Sequence, residues 1–131
     1  MAKKVRDTET QLRRLRIYNI VAGIGHLGQA IAMMAIITAL DAQAEFGVTA
    51  DYMAGPPGSP IPPERVQLFT VNMGYGLIGF MLLSAIFHFL IVSPMFFERY
   101  KAGLLKNHNY FRWVEYSLSA SIMIFLIAQL T

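Results

Sequence analysis

The sequence predicts an all-α membrane protein with three transmembrane helices, and three observations predict it. Of the 131 residues, 55% are hydrophobic and only 15% charged, which is too apolar for a soluble domain of this size. The apolar residues gather in three runs, 17–40, 67–93 and 111–131, each long enough to cross a hydrocarbon core of roughly 30 Å at about 1.5 Å per residue. The charges gather outside those runs, in a tail at 1–16, a loop at 41–66 and a loop at 94–110.

The first run follows a polar, basic tail containing Lys3, Lys4, Arg6, Arg13, Arg14 and Arg16. It is too long for a signal-peptide core, so no cleaved leader is expected. Its polar members are Asn19, His26 and Gln29, at relative positions 0, 7 and 10, which predicts one shared helical face. Ala22, Gly25 and Gly28 lie on or near that face, as they would where another helix packs closely.

The segment 41–66 carries four acids (Asp41, Glu45, Asp51 and Glu64), one arginine and the run GPPGSPIPP. Its five prolines remove backbone donors and exclude a continuous helix. Residues 46–53 hold enough Phe, Val, Thr and Tyr for a short strand or β hairpin.

The second run ends at Pro94, and its polar members are Asn72, Ser84 and His88, the last two stacked at i and i+4. The loop 94–110 is basic, with Arg99, Lys101 and Lys106 against Glu98, and holds a solvated His108. The third run, FRWVEYSLSASIMIFLIAQL at 111–130, carries a single carboxylate, Glu115. An acid inside a bilayer helix costs roughly 2.5–3.5 kcal/mol on insertion scales, so it faces the protein interior and takes a partner.

The formal charge of +3 does not point to nucleic acid, because the basic residues flank hydrophobic spans. Basic residues before the first run and between the second and third, against Arg65 alone in 41–66, predict a cytoplasmic N-terminus in a multi-pass cell-membrane protein. The absence of cysteine excludes disulfides, thiolate metal sites and cysteine nucleophiles.

Counting from the predicted cytoplasmic face, His26, His88 and Glu115 lie roughly 14, 9 and 6 Å deep. Gln29 and Ser84 extend this layer inward, and Ser119 sits one turn below Glu115, with Ser121 more to the side. The layer predicts a polar pocket between three helices, suited to water, a metal, a proton relay or a cationic ligand. Three blander readings stand beside it. Glu115 and Arg112 at i, i+3 can pair and snorkel to the interface; the histidines can simply bond between helices; and the serines can bond their own i−4 carbonyls. Two histidines and a carboxylate also match a facial metal triad in residue type, although no HxxxH pair and no second intramembrane acid accompany them.

The stretch FRWVEYSLSASIMIFLIAQL resembles the heliorhodopsins, retinal-binding proteins whose topology is inverted relative to the ion-pumping microbial rhodopsins. RLRIYNIVAGIGHLGQ resembles that family's first helix and LLSAIFHF its second. The loops DYMAGPPG and FFERYKAGLLKNHNYFRW also resemble their counterparts. The resemblance implies the first three helices of a seven-helix rhodopsin bundle and a light-sensing, non-pumping, non-enzymatic protein that binds all-trans retinal.

By that resemblance Glu115 is the counterion of the protonated retinal Schiff base. Ser119, Trp113, Tyr116 and Ser121 then lie near the chromophore. His26, Gln29, Ser84 and His88 line a hydrated cavity on the cytoplasmic side, with Asn19, Tyr100 and Arg112 around it. The partners implied are the lipid bilayer, retinal, a second copy in a homodimer of the complete protein, and further C-terminal helices. The family's retinal lysine has no counterpart here, since Lys3, Lys4, Lys101 and Lys106 all lie outside the three runs. The sequence is therefore expected to be the first part of a longer chain. A three-helix membrane scaffold without chromophore is the alternative from another class.

Overall fold

The computed structural model describes residues 2–41 and 44–130, with side chains from residue 9 onward; the basic side chains of Lys3, Lys4 and Arg6 lie outside the described residues. Helix α1 spans Ala2–Leu40, strands β1 and β2 span Glu45–Tyr52 and Glu64–Asn72, and helices α2, α3 and α4 span Met73–Val92, Phe97–Leu105 and Tyr110–Ala128. Three stretches, Glu9–Leu40, Met73–Val92 and Tyr110–Ala128, are long and apolar enough to cross a membrane. The all-α expectation for the spans and the hairpin between the first two both hold.

Three boundaries differ from the hydropathy reading. Helix α1 continues back through the polar tail, where no Gly or Pro interrupts a run of good helix formers before Gly23. The second helix begins at Met73 rather than at residue 67, because Val66, Phe69, Thr70 and Val71 are β-branched or aromatic and pair with β1. Asn72 then starts the helix, its side chain accepting a hydrogen bond from Tyr75 N at 3.2 Å. The loop after Pro94 contains α3, tied to α4 where Phe96 and Tyr100 each make a T-shaped contact with the Phe111 ring.

The chain breaks have local causes. Ser93 is extended (φ −63°, ψ 149°), as the residue before a proline must be. Helix α3 closes with two crossed bonds, His108 N to Gly103 O at 2.9 Å and Asn107 N to Leu104 O at 3.0 Å. Asn107 there takes the left-handed conformation (φ 59°) that this C-cap requires. Asn109 caps α4 by accepting from Arg112 N at 3.1 Å.

The hairpin is antiparallel, with Phe46 opposite Val71, Val48 opposite Phe69, Ala50 opposite Val66 and a bulge that leaves Leu68 unpaired. Those pairs lie on one face. The other carries Thr49, Gln67 and the cross-strand ion pair of Asp51 with Arg65, bidentate at 2.8 and 3.1 Å. In the proline loop, Ser59 N donates to Pro56 O at 3.0 Å. Pro57 and Gly58 (φ +85°) occupy the centre of that turn, and only glycine takes such an angle without strain.

Helix α2 is the one that both other spans pack against. The face of α1 turned to it reads Asn19, Gly23, His26, Ala30, Met33 and Ile37, in alternating steps of four and three, which is coiled-coil spacing. The buried face of α4 reads Glu115, Ser119, Ile122, Leu126 and Gln129 in the same steps. Ala30, Ile37 and Ile78 form the apolar core with Met33 and Met81, while Ile37 and Leu126 seat over Gly74 and Gly76 of α2. Close approach between α1 and α2 occurs at Gly23, where a Cβ would stand 3.0 Å from the Phe89 ring and 3.2 Å from His88 Cβ. Gly25 and Gly28, expected to serve this purpose, have open space around them.

Candidate functional site

Where the seams of α1 and α4 meet α2 they carry polar residues, and a cleft of about 510 Å³ opens there. Asn19 and His26 enter from α1, Ser84 and His88 from α2, Tyr100 from α3, and Arg112, Glu115, Tyr116 and Ser119 from α4. The apolar part of the wall includes Leu15, Ala22, Phe80 and Ile91.

Ser84, buried on α2, donates its hydroxyl to Glu115 Oε1 at 3.0 Å. His88, one turn further along α2, places Nδ1 2.9 Å from Asn19 Oδ1. The His88 ring stacks on His26, with centroids 5.6 Å apart and planes 11° from parallel. Asn19 Nδ2 donates back to Leu15 O at 2.9 Å, and Nδ1 of His26 is buried without a hydrogen-bond partner among the described residues. A carboxylate, two imidazoles, an amide and two serine hydroxyls thus share one cleft in an otherwise apolar bundle.

Arg112 turns away from Glu115. Its guanidinium lies over the Tyr116 ring, 4.7 Å from the centroid, and bonds the Tyr116 hydroxyl. Among the described residues the ion pairs are Arg65 with Asp51 and Lys101 with Glu98, and Glu115 is in neither. Nor do His26, His88 and Glu115 form a group with metal-binding geometry among the described residues.

Three residues expected at the site lie elsewhere. Gln29 is exposed, because at 100° per residue it falls roughly 80° from Asn19 while the seam residues stay within about 40°. Ser121, roughly 120° around α4 from Glu115, bonds Ser117 O at 2.7 Å instead. Trp113, roughly 160° around, is 55% exposed and packs edge-on against Tyr110 and His108 on the outer surface. Conversely, Asn109 and Tyr18 line the cleft unexpectedly. The signal for Asn109 was its position as the residue before a helix; Tyr18 had none beyond adjacency to Asn19.

Basic residues of α1 and α3 meet at one end of the bundle. Arg16 of α1 donates to Val92 O at the end of α2, 3.0 Å away. Its guanidinium lies 4.8 Å from the Phe97 ring centroid, and Lys101 approaches the same ring at 5.3 Å.

Comparison with curated proteins finds no match. The family model described as heliorhodopsin matches residues 15–131, which includes every residue of the cleft. The chain belongs to the heliorhodopsin family.

Proposed function

We propose that this chain supplies the counterion and the polar cavity of a light-sensing, non-pumping retinal protein, with Glu115 as the counterion. The observation that carries this reading is the state of Glu115: a carboxylate in an apolar span, accepting from Ser84 and facing a cleft, with no cation paired to it among the described residues. An unpaired carboxylate in such a place is costly, and a positively charged ligand in the cleft removes that cost. The donor set therefore fits retinal, which when bound supplies a light-absorbing cation that changes shape on illumination.

The chain's own residues divide the work. Ser84 orients the carboxylate, the stacked histidines offer nitrogens that accept a proton without passing it across the bilayer, and Arg112, held on Tyr116, stays clear of the carboxylate. Ser119 and Tyr116 flank the ligand on α4. The attachment lysine comes from outside these residues, since none of the four lysines lies in a span. The N-terminus is cytoplasmic, supported by the gathering of Arg16, Lys101 and the α2–α4 connection at one end.

Supplying the remaining family helices and all-trans retinal should give a visible absorption band, and Glu115→Gln should move that band strongly to the red. A band that does not move rejects the counterion role. Failure to form any band with the helices present favours the three-helix scaffold instead.

A further inference from the structure

We infer that Asn19 is a positioning residue that locks the tautomer of His88, keeping hydrogen on Nδ1 and leaving Nε2 as the proton-accepting nitrogen offered to the cleft. Leu15 O can only accept, so the Asn19 atom 2.9 Å from it is the NH2 donor. The opposite amide orientation would set two oxygens against each other. That assignment turns Asn19 Oδ1 toward His88, 2.9 Å from Nδ1. An acceptor there requires an N–H on the imidazole, so neutral His88 carries its proton at Nδ1 and its lone pair at Nε2. Asn19 is buried, so water does not compete readily for either bond.

The geometry also fixes the ring plane. His88 is stacked on His26 on one side, and the Asn19 bond removes rotation about the remaining axis. Had the amide been absent, the imidazole would revert toward the Nε2–H form that a free imidazole prefers, with its lone pair turned into the α1 interface. The tautomer stands on these contacts alone. Its importance for proton handling rests on the function proposed above.

The test is nitrogen NMR of the whole chain, with labelled histidine, in lipid nanodiscs without retinal at a pH where the imidazoles are neutral. Substituting His26 and His108 singly assigns the signals. In the unsubstituted chain, His88 should show a protonated-type shift at Nδ1 and an unprotonated-type shift at Nε2. Asn19→Leu should lower the Nδ1–H to Nε2–H ratio by about tenfold, the worth of one neutral hydrogen bond. An Nε2–H signal in the unsubstituted chain overturns the assignment without recourse to any variant. An unchanged ratio in a helical, folded Asn19→Leu chain overturns the role of Asn19. Neither result depends on chromophore binding, so failure here and failure of the counterion reading are separate outcomes.

Discussion

Glu115 reaches Ser84 across the α2–α4 interface, and the α1–α2 interface one turn away depends on a residue with no side chain at all. Gly23 lets the Phe89 ring and His88 come against the α1 backbone. Gly23→Val should push the helices apart and cost about 1–3 kcal/mol, the usual penalty for overpacking. Gly25→Ala and Gly28→Ala, facing open space, should leave stability unchanged or raise it slightly through helix propensity. Reversible unfolding in mixed micelles measures all three. Equal destabilisation by the three would show that the α1–α2 contact is placed elsewhere. Because His88 shares the Gly23 contact, the same valine should also disturb the His88 signals described above.

At the scale of elements, the hairpin is the part whose charge pairing is open to solvent. The Arg65 guanidinium bonds the Asp51 carboxylate through two oxygens and holds its pKa below the ordinary 3.8; the same pairing raises that of Arg65. Since the folded value of Asp51 is the lower one, its contribution is complete above the ordinary range and is lost as pH falls through the folded value. Protection factors of the β1 amides, corrected for intrinsic exchange, should therefore be flat between about pH 7 and pH 5 and fall at lower pH. Arg65→Met should abolish that acid-dependent fall. A fall that persists in Arg65→Met would assign it to another group. Both side chains are solvent-exposed, so the pair acts mainly on register and contributes little to global stability. The apolar face is better placed to hold the strands, although Phe69 is itself 52% exposed.

For the molecule as a whole, the outer surface of the three spans is apolar and largely exposed, as a surface covered by lipid or by further helices would be. No more than 28% of any span's most apolar window is buried, and Ile24, Ile31, Leu118 and Ile124 point outward. The absence of cysteine makes topology directly measurable. Gln11→Cys should be labelled by an impermeant maleimide only after cells are opened, and Ser59→Cys in intact cells. The reverse pattern would overturn the cytoplasmic N-terminus and, with it, the cytoplasmic placement of the cavity.

Composition and sequence order alone determined the three spans, the hairpin-bearing loop and the presence of one carboxylate and two histidines at similar depth. These follow from run length, hydropathy and proline content, which are additive along a chain. Even the seam of α1 was legible in principle, since Asn19, Gly23, His26 and Ala30 follow four-three spacing. Which way each helix turns was not legible. A rotation of a few tens of degrees decides whether Gln29 or Ala30 is buried, whereas Trp113, roughly 160° from Glu115, faces outward once Glu115 faces the cleft. Those choices are made by packing between helices, through Gly23 against Phe89 and Gly76 beneath Leu126. Likewise, Arg112 lies one turn from both Glu115 and Tyr116, and only the tertiary structure places it on the tyrosine, where stacking and a hydrogen bond coincide. That placement leaves the Glu115 carboxylate without a cation among the described residues. Local sequence spacing allowed either pairing, because spacing counts neighbours and does not weigh rotamers against one another.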